Sequence, residues 1–140
     1  MKHRIFVLVT IVGFALYLFF TLGTTFADAA AVIAHDDNII VLEGGTATQL
    51  TTGATSVLFN DVTSNTLQVA SIIDQPDFAT AAFTVNANGT FSYKHDGSEN
   101  YSDYFVYQAC DAGAISCDTA TVNISITPQN DPPTAVNDTN

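Results

Sequence analysis

The sequence predicts an all-β protein, a seven-stranded Greek-key β-sandwich preceded by a hydrophobic N-terminal signal or anchor helix. Three observations carry this. Beyond the first 30 residues no apolar period of a helix survives, and short alternating runs broken by Gly, Asn, Asp and Pro take its place. Alternating aromatic residues, Phe83, Phe91, Tyr93, Phe105 and Tyr107, supply most of a core that has no Trp. Ala34-His35-Asp36-Asp37 is echoed by Ala135-Val136-Asn137-Asp138, 101 positions further on, and ~100 residues is the size of one sandwich module.

The opening "MKHR", the uncharged run Ile5 to Leu22 and the small-residue stretch "TTFADAAA" read as the charged, apolar and cleavage regions of a signal peptide over residues 1–29. Cleavage after Ala27 or Ala29 fits. The run is also long enough to span a bilayer, so an uncleaved membrane anchor stays open. Either way the remainder is expected outside the cytoplasm, with a membrane touched only through this segment.

The strands follow in order over residues 31–133. The first is Ile39 to Leu42, and the second, Thr46 to Leu50, follows a Glu-Gly-Gly turn. An edge segment "SVLF" precedes the third strand, "TLQVASII". The fourth, "AAFTV", and the fifth, "TFSYK", are joined by Ala87-Asn88-Gly89, which sets Val85 opposite Phe91 and Phe83 opposite Tyr93. Gly89 takes the left-handed position such a loop needs. The sixth, "DYFVYQAC", turns Phe105, Tyr107 and Ala109 inward; the seventh, "CDTATVNISIT", turns Ala120, Val122, Ile124 and Ile126 inward and stops at Pro128, which has no ladder donor. Residues 134–140 read as the start of a following repeat.

By the same parity Cys110 and Cys117 both point outward, and a two-residue turn at Gly113-Ala114 sets them opposite each other. Directly opposed residues lie within disulfide reach, and an oxidising destination favours the bond. The lone C-x6-C spacing lacks the second ligand pair of a zinc site. His35 and His95, each alone in a polar stretch, read as solvated loop residues.

The formal net charge is −11, and after Arg4 the only basic residue is Lys94. A nucleic-acid partner is excluded, because phosphate binding needs a Lys/Arg surface. Among 14 acids only Glu43 and Glu99 are Glu. Short carboxylates in loops suit compact oxygen cages for hard cations, although Asp and Asn also populate turns for the backbone bonds they make. Reversal of direction at each strand collects Asp36, Asp37, Asn60, Asp61, Asp111 and Asp118 at one pole. It collects Glu43, Asp96, Glu99, Asp103, Asn130 and Asp131 at the other. Calcium is the expected counter-species at both, and Pro128, Pro132 and Pro133 stiffen the exit.

With these residues in place the chain resembles the bacterial cadherin-like or Ig-like tandem repeats of large surface adhesins, the group that includes VCBS-type repeats. The matching stretches are "IIVLEGGTATQL", "VLFND", "NGTFSY", "SDYFVYQACD" and "TATVNISITPQNDPPTAVND". The resemblance implies a sandwich repeated along a cell surface, with calcium at or between repeats. More distantly it extends to cadherin repeats, whose calcium ligands stand at places comparable to Glu43, Asp103, Asp111, Asn130 and Asp131.

Two other classes of function are open to a chain of this kind. No nucleophile motif such as G-x-S-x-G occurs, and His95 beside Asp96 has no third partner, so an enzyme is not expected. A carbohydrate-binding module of a secreted protein is the alternative, with Tyr93, Tyr101 and Tyr104 as ring candidates and Tyr107 marked as core by its parity. The expected function is a non-enzymatic surface module acting in spacing and adhesion. Its partners are neighbouring repeats, then another cell surface or a glycan. Its calcium ligands are expected among Glu43, Asp103, Asn130, Asp131, Asp36, Asp37 and Asp111.

Overall fold

The computed structural model describes residues 31–133. The expected signal or anchor segment, residues 1–29, and the expected start of a following repeat, residues 134–140, lie outside the described residues. Seven strands form: β1 (Asp37–Leu42), β2 (Thr46–Ala47), β3 (Leu67–Asp74), β4 (Thr84–Val85), β5 (Phe91–Lys94), β6 (Ser102–Asp111) and β7 (Cys117–Thr127). They make two sheets, β1-β7-β6-β3 and β2-β5-β4. Every pairing is antiparallel except that β1 runs parallel to β7, from Asp37↔Val122 to Leu42↔Thr127. Parallel neighbours need a long connection between them, and here that connection is the whole intervening chain.

The alternation read from the sequence sets the inner faces. Ile39 and Val41, Phe91 and Tyr93, Phe105, Tyr107 and Ala109, and Ala120, Val122, Ile124 and Ile126 are all buried between the sheets. Phe83 meets Phe105 edge-on, with ring centroids 5.0 Å apart, a favoured aromatic geometry. The β4–β5 turn has the expected register, Val85↔Phe91, and Gly89 takes φ +81°.

Four elements are shorter or less regular than their patterns predict. β2 ends at Ala47, because Leu50 closes a turn by accepting from Gly53 N and donating to Ala54 O, and its side chain plugs the core. Phe83 does not pair with Tyr93: its N–H closes a turn onto Thr80 O, leaving β4 only Thr84 and Val85. The "SVLF" segment contributes a single bridge, Ser56↔Thr90, while Val57 is fully buried. β3, at one sheet edge, shifts register twice, which twists an edge away from further pairing.

Cys110 and Cys117 are directly opposed and joined by a disulfide, with Cα atoms 4.1 Å apart. Cys110 lies outside the core cluster, as its outward parity predicts, and is nonetheless buried, because β6 is a central strand flanked by Gln68 on β3 and Cys117 on β7. Replacing both cysteines by alanine is expected to cost about 2–3 kcal/mol for a closed loop this short. Scanning calorimetry should then show a thermal midpoint lower by roughly 10 °C; equal midpoints would show that the bridge does not restrict the unfolded chain.

Candidate cation sites at the two poles

The pole where the chain leaves β7 gathers Glu43, Glu99 and Asp131, with one carboxylate oxygen of each within 4.8 Å of the others. Glu43 follows β1 and extends the parallel ladder by donating its N–H to Thr127 O at 2.9 Å. Its Oε2 accepts from Gln129 N at 2.9 Å, which ties the exit segment to the body. Glu99 follows the Asp96-Gly97-Ser98 turn, in which Asp96 Oδ1 accepts from Ser98 N at 2.9 Å and from its hydroxyl. Those bonds hold the Asp96 carboxyl below its ordinary range. Glu43 is half-buried, and Glu99, Asn130 and Asp131 are exposed. Among the described residues none of the three clustered carboxylates pairs with Lys or Arg, so their mutual repulsion is uncompensated by the chain.

His95 lies beneath this pole, 1 % exposed, and is not the solvated loop residue its polar surroundings predict. It continues the inward parity of Phe91 and Tyr93. Its Nδ1 accepts from Gly44 N and Gly97 N, each at 3.2 Å. That assigns the ring proton to Nε2, 3.7 Å from Asp96 Oδ1. One imidazole thereby staples together the turns that carry Glu43 and Glu99.

Asp103 is not in the cluster. It shares the inward parity of Phe105 and is buried. Oδ1 accepts from Asp77 N (3.1 Å) and Tyr104 N (2.8 Å), and Oδ2 from Phe78 N (3.0 Å) and the Tyr93 hydroxyl (2.9 Å). Burial, with Asp103 next, pushes the Tyr93 hydroxyl far above its ordinary range. The place at the pole is taken by Glu99, which a loop carries there. Sequence parity marks Asp103 as inward, whereas nothing in the local pattern singles out Glu99.

At the opposite pole Asp111 caps the β6–β7 turn. Its Oδ1 accepts from Ile115 N (2.9 Å) and Ser116 N (3.0 Å), and Oδ2 from Asn65 Nδ2 at 3.3 Å. Backbone donation, Ser116 first, holds this carboxyl below its usual range. Asp36 Oδ1 accepts from Thr121 N at 2.8 Å, and Asp118 accepts from Ala34 N and Thr119 N. Asp61 accepts from His35 N (2.8 Å) and the Tyr107 hydroxyl (2.9 Å). Asp37 is 5 % exposed, and its Oδ2 has no hydrogen-bond partner. Burial, then the Asp61 charge, pushes its carboxyl up to about 7.

Of the tyrosines that could form a sugar platform, Tyr93 and Tyr107 are fully buried. Tyr101 and Tyr104 remain exposed, with the Tyr104 hydroxyl held by Asp74 Oδ2 at 3.0 Å.

Two sheets ordered β1-β7-β6-β3 and β2-β5-β4, closed by a parallel first-to-last strand pair, define an Ig-like β-sandwich. The chain belongs to the bacterial Ig domain family, which it matches over residues 28–125. It is also similar to the crystal structure of human protocadherin-24 EC1-2, with a TM-score of 0.39 and 16 % identity over 73 % of this chain. That likeness spans 53 % of the protocadherin chain. No curated protein matches the chain.

Proposed function

We propose that this chain is a non-enzymatic, exported surface module, one repeat of an adhesin-like array, whose exit linker is stiffened by calcium. What carries the reading is the cluster of Glu43, Glu99 and Asp131 at the point where the chain leaves the sandwich. Three all-oxygen donors, none paired with Lys or Arg among the described residues, fit a hard divalent ion, which takes six to eight oxygen ligands. Asn130 stands beside Asp131 as a further oxygen donor, and water or a neighbouring repeat completes the shell. Bound calcium supplies neutralising charge. The chain supplies position, through the Glu43–Gln129 bond and the His95 staple. Membership in a bacterial Ig family and a cross-strand disulfide support a place outside the cytoplasm.

The test is a calcium titration of the full chain followed by its thermal midpoint. Calcium is expected to raise the midpoint of wild type, with half of the effect reached at roughly 0.1–1 mM, the range of extracellular modules. Combined Glu99→Gln and Asp131→Asn substitutions should remove the part of the rise contributed by this pole. An undiminished response in that variant would exclude these residues as ligands.

A further inference from the structure

The pole where the chain enters the sandwich carries an apolar surface that the core does not use. Phe59 (70 % exposed) and Ile115 (76 %) are the two most exposed large hydrophobic residues described, and Ile33 and Val62 are about half exposed. All four ring the entry segment. Ile33 and Val62 exchange two backbone bonds at 2.9 Å. Ile115 adjoins Ser116, whose hydroxyl accepts from Val32 N at 3.0 Å, and Phe59 adjoins Asn60, whose Nδ2 donates to His35 O and Asp36 O. Both tips are held in place. Asp111 Oδ1 accepts from Ile115 N at 2.9 Å, while Val57, two residues before Phe59, is fully buried and its carbonyl accepts from the Tyr107 hydroxyl at 2.9 Å. Single exposed apolar residues are ordinary on a soluble surface, whereas several gathered on one rim mark a contact with a partner or a membrane.

The sequence ahead of this pole favours the membrane. The uncharged run Ile5 to Leu22 is long enough to span a bilayer, and only residues 23–30 separate it from the entry segment. A stretch of that length reaches at most about 28 Å when fully extended. We propose that the run is kept as an anchor and that the entry pole rests on the lipid surface through Phe59, Ile115, Ile33 and Val62. Tethering at this distance makes the contact intramolecular, with an effective concentration on the order of millimolar, so a patch too small to hold a free protein is sufficient. Charge selects the lipid. Asp36, Asp61, Asp111 and Asp118 stand at this pole, and Lys94, the only Lys or Arg among the described residues, lies on the other sheet opposite Thr46. An anionic membrane repels such a face, and net-neutral headgroups fit it. β7 runs from this pole to the other, Cys117 to Thr127, a height of about 33 Å at the rise of a strand. The contact therefore stands the sandwich upright and holds the exit cluster away from the bilayer. This surface goes beyond the exit-linker reading and shares no residue with it.

The test uses the full chain reconstituted in phosphatidylcholine vesicles. Because the sequence has no Trp, Phe59→Trp installs a single fluorophore on the patch, and Tyr101→Trp installs one at the exit pole. Both replace an exposed aromatic residue by another, so both are expected to fold, which thermal midpoints close to wild type check. Ile115→Trp places the same probe on the second tip, should Phe59→Trp lower the midpoint. The Phe59→Trp and Ile115→Trp chains are expected to emit further to the blue than Tyr101→Trp. They should also lose emission when the lipid carries bromine on its acyl chains, while Tyr101→Trp keeps its emission. Adding Ile33→Ser and Ile115→Ser to Phe59→Trp should weaken the quenching. Equal quenching at the two poles, or none at the entry pole, would overturn the lipid contact. So would a blue shift in Phe59→Trp that grows with protein density and ignores bromine, since a second copy then covers the patch. An intact mass showing that the exported chain has lost residues 1–29 would overturn the anchored contact as well. Each of these failures leaves the calcium response of the exit pole where it stood, and a missing calcium response leaves the quenching where it stood.

Discussion

Asp103→Ala is expected to remove about 3–5 kcal/mol of stability, because hydrogen bonds to a charged group are worth about 1.5–3 kcal/mol each and four are lost at once, with the partly exposed donors recovering some of that from water. The carboxylate accepts from three backbone N–H groups and from the Tyr93 hydroxyl. Alanine leaves these donors facing a methyl group, and each buried donor without an acceptor costs about 1–3 kcal/mol. The loop carrying Asp77 and Phe78 also loses its anchor on β6. Tyr93→Phe removes only one bond and is expected to cost about 1 kcal/mol. Urea unfolding of both variants, with calcium and with chelator, measures the effect. Because Asp103 is spent on internal donors, its loss should be the same in both conditions; a loss confined to calcium would show that Asp103 is a metal ligand after all.

Gly89→Val is expected to cost about 3 kcal/mol or more, from two sources that add. A side chain at φ +81° is strained, by about 1–2 kcal/mol for an L residue in the left-handed region. A Cβ there also runs into Ser56 Oγ, and lies 2.9 Å from Leu58 Cγ and 3.2 Å from Leu58 N. Overpacking of that kind typically adds about 1–3 kcal/mol. The neighbouring strand cannot easily yield, since Val57 N donates to Gly89 O at 3.0 Å and the Ser56 hydroxyl to Asn88 O at 3.0 Å. Gly53 provides the control. It has φ +86° with nothing within 4 Å of an added Cβ, so Gly53→Ala should cost about 1 kcal/mol, the strain alone. Similar midpoint losses for Gly53→Ala and Gly89→Ala would show that the contact with Ser56 and Leu58 is relieved without cost.

The strands were legible because a period of two is imposed on any sheet with one buried face, so Phe105, Tyr107 and Ala109 declare their side without help from the rest of the fold. Register was legible where a short turn leaves one choice, at Val85↔Phe91 and Cys110↔Cys117. Leu50 misled because an apolar residue at the right spacing fills a core equally well from a turn. His95 misled because Lys94, Asp96 and Gly97 give its surroundings a polar look, while its own parity with Tyr93 points inward. Asp103 and Asp111 are carboxylates whose use is decided by which backbone N–H groups reach them, and those come from loops distant in sequence or folded back across a turn. Strand direction brought Glu43, Glu99 and Asp131 to one pole, but which of the acids gathered there come into contact is set by loop paths that no periodicity encodes. The approach of Asp61 to Asp37 likewise depends on the segment before β3.

The parallel pairing of β1 with β7 bears on how this body responds to force. β1 begins at one pole and β7 ends at the other, with six residue pairs in register between them. Tension drawn through the two ends slides one strand along the other and loads all of those pairs at once, in shear. An antiparallel edge pulled from one end would instead unzip bond by bond. Resistance to stretching is set by the rate of unfolding and not by equilibrium stability, so this seam is where rupture under load would be decided.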